Sequence, residues 1–171
     1  NRGRTRARSA MTAPPTPPIN DNPSGAITLT IGNTVTYVTY TNVNATNTTT
    51  ESTPSCAAYV GEDVLFKVTL PQYVTSLDFD TQTGVITDAG MSLYRGTLGS
   101  LVEIQCDDDN SLNGAMSFIS RTDFTEYETI YIRIWEYNGG TTGTFGISVT
   151  SPQPLPVEML YFEGVGYETT N

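Results

Sequence analysis

Apolar residues recur at every second position in several short stretches, and this alternation constrains the fold more than any other feature of the chain. A period of two is typical of β-strands with one buried face. Alternating stretches begin at Ile27, Val35, Val64, Ile130 and Phe145. Glycine and asparagine separate them, and no stretch combines a sustained helical period with capping residues. The pattern predicts an all-β fold, an antiparallel sandwich of many short strands.

The chain has 171 residues, which suits one domain with extensions. Residues 1–25 join an arginine-rich start to a run of prolines, and they are predicted to form an extended arm. Residues 26–151 carry the alternating stretches and form the sandwich. Residues 152–171 begin with a proline-rich spacer, followed by a strongly strand-forming segment. Because the first residue is Asn1 and no apolar leader is present, we expect a processed or excised piece of a longer protein.

Charge is unevenly distributed along the chain. It carries 8 basic and 18 acidic residues, and four of the basic ones are Arg2, Arg4, Arg6 and Arg8. From residue 9 onward, 4 basic against 18 acidic residues leave a net charge of 4 − 18 = −14. Such a body repels phosphate backbones, so no nucleic-acid partner is expected. No apolar run approaches membrane-spanning length, so no membrane insertion is expected. The arginine run has a second interpretation, as a linker or an expression remnant.

Histidine is absent from the chain. This excludes Ser–His and Cys–His nucleophile pairs and removes the commonest ligand of transition metals. No phosphate-binding glycine loop and no zinc-spaced cysteine set is present. The sequence therefore predicts a protein that is not an enzyme and has no certain cofactor.

Oxygen ligands are concentrated at Asp107, Asp108, Asp109 and Asn110. Ca²⁺ takes six to eight hard oxygen ligands, so this run is a candidate calcium site. The EF-hand pattern is not met, because Leu112 occupies the position that needs glycine. The alternative is a strand-to-loop junction whose carboxylates face water and cap turns, and this is the interpretation that we favour.

Four aromatic residues cluster in and around one predicted strand, namely Tyr127, Tyr131, Trp135 and Tyr137. They are candidates for an exposed platform that binds glycans or protein. The alternative is structural, with one face of the strand in the core and the other supporting a neighbouring loop. We favour the structural interpretation.

Short motifs follow one another in order through the body of the chain. They are Asn20-Asp21-Asn22 with Ala26-Ile27, Glu62-Asp63-Val64-Leu65-Phe66, Met91-Ser92-Leu93-Tyr94-Arg95-Gly96, Leu101 through Cys106-Asp107-Asp108-Asp109, Tyr131-Ile132-Arg133-Ile134 and Gly143-Thr144-Phe145. On these motifs the stretch 20–151 resembles the bacterial pre-peptidase C-terminal domain family and its relatives in Bacteroidetes surface proteins. The segment Leu155-Pro156-Val157-Glu158-Met159-Leu160 is similar to the start of a module near the C-terminus of type IX secreted proteins.

The resemblance implies a jelly-roll-like β-sandwich, export across the outer membrane, an extracellular or cell-surface location, and an accessory or adhesive role. It also bears on the two cysteines, Cys56 and Cys106. Relatives often carry cysteines where this chain has Pro23 and Leu98, so each cysteine lacks its usual partner. Whether Cys56 and Cys106 form a disulfide with each other stays open at this point.

Two features of the ends favour self-assembly. The arginine-rich arm has an acidic body to bind, and the terminal strand can complete another sheet by β-strand addition. Our leading hypothesis is a structural subunit of an extracellular filament or surface assembly. The alternative is an adhesive or accessory module, binding glycan or protein, of a larger secreted enzyme or adhesin. The predicted assembly residues are Arg2, Arg4, Arg6, Arg8, Val157, Met159, Leu160, Tyr161 and Phe162.

Overall fold

Nine β-strands make up most of the regular structure in the part of the chain that the structure describes. The structure is a computed structural model that describes residues 14–56 and 58–153. Its strands are β1 (Ile27–Thr28), β2 (Val38–Thr41), β3 (Val64–Thr69), β4 (Leu77–Gln82), β5 (Ala89–Arg95), β6 (Val102–Asp107), β7 (Phe118–Arg121), β8 (Thr129–Glu136) and β9 (Thr144–Thr150). One turn of 3-10 helix, Pro23–Gly25, precedes β1. No helix among these residues is long and apolar enough to cross a membrane.

The strands form two sheets. One has five strands in the order β1-β3-β8-β5-β6, and the other has four in the order β2-β9-β4-β7. All neighbouring strands pair antiparallel except β1 and β3, which run parallel. The predicted all-β, antiparallel sandwich is confirmed, with this one parallel pair as the departure.

The core lies between the two sheets. In β8, Ile130, Ile132 and Ile134 are fully buried and belong to it, because alternate strand residues face the opposite sheet. Phe66 of β3 meets Phe145 of β9 edge to face, with ring centroids 6.1 Å apart. This contact joins one sheet to the other, as the alternation of both strands predicts.

The segment before β1 packs onto the sandwich. Asn20 and Asp21, which the expected boundaries assign to the arm, are buried. The backbone N–H of Leu65 donates to the Asn20 carbonyl oxygen at 2.8 Å, and the Thr46 N–H donates to the Asp21 carboxylate at 2.5 Å.

The last described residue is also tied to the sandwich. The Gln153 side-chain oxygen accepts hydrogen bonds from the backbone N–H groups of Thr75, at 2.8 Å, and Ser76, at 3.2 Å. These two groups immediately precede β4. Residues 1–13 of the predicted arm and residues 154–171, which include the predicted terminal strand, lie outside the described residues.

Candidate functional site

The outer face of the five-stranded sheet is covered by the connection from β2 to β3. We call residues 42–63 the covering loop; all of it is described except Ala57. Arg133 and Trp135 alternate with the core isoleucines of β8 and therefore face away from the core. Both are nevertheless fully buried. The covering loop thus turns the outer face of the sheet into a second interior.

A buried ion pair anchors the covering loop. The Arg133 guanidinium donates to the Asp63 carboxylate at 2.9 Å, and neither side chain is exposed. It also donates to the backbone oxygens of Ser52, at 3.1 Å, and Thr48, at 2.8 Å, and to the Tyr59 hydroxyl. Burial and the hydrogen bond to Asp63 raise the pKa of Tyr59 above its ordinary value. Because every partner is supplied, the charge can be buried, and the network serves structure rather than chemistry.

A disulfide bond also anchors this loop. Cys56 is bonded to Cys106 of β6, with their Cα atoms 5.6 Å apart. The neighbouring Ser55 N–H donates to the Glu103 carboxylate at 3.0 Å. The pairing that the sequence left open is therefore present in the structure, and it ties the covering loop to an edge strand.

The four aromatic residues of the predicted platform do not share one surface. Trp135 is fully buried and packs edge to face on Tyr59, at 5.4 Å between ring centroids. Tyr131 is half-buried. Tyr127 and Tyr137 are exposed but flank opposite ends of β8. A single platform is absent from this strand, and the structural role that we favoured describes Trp135.

The predicted calcium ligands separate into two groups. Asp107 is buried, and its carboxylate accepts hydrogen bonds from the backbone N–H of Phe118, at 2.8 Å, and from the backbone and side chain of Asn110. These bonds give Asp107 and Asn110 the turn-capping role that the alternative interpretation described. They leave the Asp107 carboxylate little capacity for a ligand.

The other two aspartates meet a residue that the sequence analysis missed. Carboxylate oxygens of Asp88, Asp108 and Asp109 lie within 4.8 Å of one another. Burial raises the pKa of Asp108 to about 6, and the nearby Asp109 and Asp88 carboxylates add to the shift. Burial and Asp109 also raise the pKa of Asp88. Their chemistry is that of a hard-cation ligand set, and the same geometry occurs at acidic surfaces without a metal.

A shallow groove of about 380 Å³ lies between the 3-10 helix and the turn from β5 to β6. Glu51 is its charged lining residue. The Glu51 carboxylate already accepts hydrogen bonds from the backbone N–H groups of Gly99, at 2.6 Å, and Leu101, at 2.9 Å. Its charge therefore closes the turn and offers a ligand little.

Two connections run side by side at one end of the sandwich, 70–76 between β3 and β4 and 122–128 between β7 and β8. The Leu70 N–H donates to the Glu128 carbonyl oxygen, and the Tyr127 N–H donates to the Leu70 carbonyl oxygen, both at 2.9 Å. The Phe124 N–H donates to the Thr75 carbonyl oxygen at 3.1 Å. These bonds hold the two connections together as one surface.

Each connection contains a tight turn with tyrosine at its third position. The Val74 N–H closes one turn on the Pro71 carbonyl oxygen, and the Glu128 N–H closes the other on Thr125. Tyr73 has φ 65° and Tyr127 has φ 63°. Glycine or asparagine normally occupies such a position, because the left-handed region costs other residues roughly 1–2 kcal/mol.

Both tyrosine side chains face solvent. Tyr73 is 69% exposed and Tyr127 is 64% exposed. Between them, Val74 and Phe124 are buried and attach the connections to the core. The fold therefore exposes two tyrosine rings, and both residues have the left-handed backbone conformation that tyrosine disfavours. We call Tyr73 and Tyr127 the tyrosine pair.

Sequence reasoning missed Tyr73 and Asp88, and neither had a local signal. The turn at Tyr73 contains no glycine or asparagine that would mark a left-handed position. Asp88 lies 20 residues before Asp108 and joins it only through the pairing of β5 with β6. The predicted assembly residues Arg2, Arg4, Arg6, Arg8, Val157, Met159, Leu160, Tyr161 and Phe162 lie outside the described residues.

No family model matches the chain, and no curated protein matches it. Among solved structures, it is similar to the pre-peptidase C-terminal domain of collagenase from Bacillus anthracis, with a TM-score of 0.42 and 12% identity over 72% of this chain and 93% of that one. It is also similar to the Yersinia pseudotuberculosis-derived mitogen, with a TM-score of 0.40 and 16% identity over 73% of this chain and 93% of that one.

Proposed function

We propose that this chain is a non-catalytic binding module, accessory or adhesive, of a larger protein that acts outside the cell. The observation that carries the proposal is the tyrosine pair, two exposed rings at left-handed backbone positions. A bulky side chain kept in a disfavoured conformation while it packs little on its own fold is best explained by contact with a partner.

The extracellular location is supported by the disulfide between Cys56 and Cys106, because disulfides persist in oxidising compartments. The low charged fraction of 15% and the resemblance to pre-peptidase C-terminal domains agree with it. Type IX export from a Bacteroidetes cell is the finer form of the proposal. It rests on the motif that begins at Leu155, which lies outside the described residues.

A filament subunit remains the second candidate function. It is favoured by the contrast between the arginine-rich start and a body with a net charge of −14, from 4 − 18. Deleting residues 1–13, which carry the four arginines, or residues 155–171 should leave a folded monomer that cannot polymerise. If negative-stain microscopy shows normal polymers from both truncated chains, this candidate is wrong.

Calcium binding at the run Asp107, Asp108, Asp109 and Asn110 stays a prediction, and Asp88 is a further candidate ligand because its carboxylate lies beside those of Asp108 and Asp109. A bound ion would raise the melting temperature by mass action, because it binds the folded chain. The measurement is a thermal melt of the full chain with and without millimolar CaCl₂, with Asp108→Asn as the control. An unchanged wild-type melting temperature would remove calcium from the account.

The binding proposal is tested by removing both rings without disturbing the turns. Asparagine tolerates a left-handed backbone, so the double variant Tyr73→Asn, Tyr127→Asn should fold normally. Wild-type and variant chains are applied to arrays of immobilised polysaccharides and extracellular-matrix proteins. We expect at least one probe to bind the wild-type chain and to show no binding of the double variant. Equal binding by both chains to every probe would contradict the proposal.

A further inference from the structure

The surroundings of the tyrosine pair identify the kind of ligand that it fits. Within connections 70–76 and 122–128, Tyr73 and Tyr127 are the large apolar side chains that are exposed. A protein-binding surface needs a contiguous apolar centre, which two separate rings in polar surroundings do not provide. A tyrosine ring offers a flat apolar face with a polar edge, which suits a sugar ring with its axial C–H groups and equatorial hydroxyls.

The polar groups beside the rings are hydrogen-bonding groups of the right type. Gln72 directly precedes Tyr73, and Thr125 lies two residues before Tyr127. Both side chains are exposed. Amide, hydroxyl and carboxylate groups all pair with sugar hydroxyls, since a hydroxyl both donates and accepts. The turns therefore combine stacking surface with hydrogen-bonding capacity in one place.

The local charge excludes an anionic ligand. The two connections contain Asp123, Glu126 and Glu128 and no basic residue. The neighbouring cations are already engaged, because Arg95 pairs with Glu128 at 2.9 Å and Arg121 pairs with Asp123 at 2.5 Å. With the chain as a whole at −10, a polyanion meets repulsion here.

We infer that the tyrosine pair binds an uncharged polysaccharide, with the rings stacking on sugar faces along one chain. This inference rests on the proposed function, because it names the ligand of the same two turns. The backbone strain fits this role, since a tight turn holds each ring clear of the sandwich surface and limits the freedom that binding would remove.

The test is native electrophoresis of the full chain in gels that contain a polysaccharide. Glucomannan and xyloglucan are the neutral probes, and alginate is the anionic probe. We expect both neutral polymers to retard the wild type and alginate to leave its mobility unchanged. Tyr73→Asn and Tyr127→Asn should each weaken the retardation about tenfold, the loss of one well-packed aromatic contact. The matched control is Tyr137→Ala, an exposed tyrosine beyond the opposite end of β8.

Two readouts keep the outcomes distinct. Thermal melts of both asparagine variants should match the wild type, so that lost retardation reports a lost contact rather than unfolding. Stronger retardation by alginate than by the neutral polymers would overturn the inference. So would binding to immobilised fibrinogen or fibronectin alone that needs the tyrosine pair, although the binding-module proposal would then survive. If neither kind of probe distinguishes the double variant from the wild type, both proposals are wrong.

Discussion

The covering loop and the tyrosine pair use opposite solutions to the same problem of placing polar groups on a sandwich. Under the covering loop, the Arg133 charge is removed from water and given a partner at every donor atom. In the tyrosine pair, both rings are exposed to water, and both residues have a positive φ, which tyrosine disfavours. The first arrangement adds stability through satisfied contacts, and the second gives stability up.

This difference separates residues that specify the fold from residues that await a partner. A buried network whose polar groups already bond to one another can bind a ligand only if some of those hydrogen bonds break first. An exposed ring at a disfavoured φ can be buried against a partner without breaking hydrogen bonds inside the fold. For this protein, the buried network around Arg133 is therefore a poor candidate for a binding site. The tyrosine pair, which is exposed and has a disfavoured backbone conformation, is the better candidate.

The largest expected effect comes from breaking the buried ion pair. Asp63→Ala leaves the Arg133 charge buried and unpaired, so the free energy of unfolding should fall by about 3–5 kcal/mol. Urea denaturation followed by the fluorescence of Trp135, the single tryptophan, measures it. The control is Asp123→Ala, which removes an exposed partner of Arg121 and should change stability by less than about 1 kcal/mol. Similar losses in both variants would show that the covering loop is an ordinary surface.

The disulfide should have the next largest effect. It closes a loop with a sequence separation of 50 residues. Replacing Cys56 and Cys106 by serine should lower the free energy of unfolding by about 2–4 kcal/mol, mainly by freeing the unfolded chain. Dithiothreitol added to the wild type should reproduce the loss. A double variant as stable as the oxidised wild type would contradict the role of the bond as an anchor.

The smallest expected effect, and the one of opposite sign, belongs to the tyrosine pair. Tyr73→Gly and Tyr127→Gly relieve the left-handed backbone, so each should leave the free energy of unfolding unchanged or raise it by up to about 1 kcal/mol. Tyr137 does not have a positive φ, so Tyr137→Gly should lower it by about 0.5–1 kcal/mol. Chemical denaturation of the three variants decides the matter. A clear loss of stability from Tyr73→Gly would mean that its ring packs on the fold.

The alternation in β8 shows how far the sequence reaches. The isoleucines of this strand predicted the core face correctly, because a period of two is local information. The burial of Arg133 on the other face depends on Asp63, 70 residues away, and on the covering loop, which no pattern in β8 indicates. Contacts of that range leave no periodic trace in the chain.

The turns and the acidic cluster show the same limit. Turn prediction relies on glycine, asparagine and proline, and the turn at Tyr73 has only Pro71 at its start. The aspartate run was found in the sequence, yet hydrogen bonds withdraw Asp107 from it and strand pairing brings Asp88 to it. The sequence indicated which residue types are important at these places, but it did not indicate which residues contact them.

The tethering of Asn20 and Gln153 sets how the molecule would respond to tension. Asn20 is bonded beside the start of β3, and Gln153 is bonded in the connection that follows the end of β3, so the two tethers lie at opposite ends of that strand. A pull applied through these two points runs along the strand axes, so the ladder hydrogen bonds would share the load instead of opening one at a time. We therefore expect the sandwich to resist tension applied through residues 20 and 153 better than tension applied across its strands.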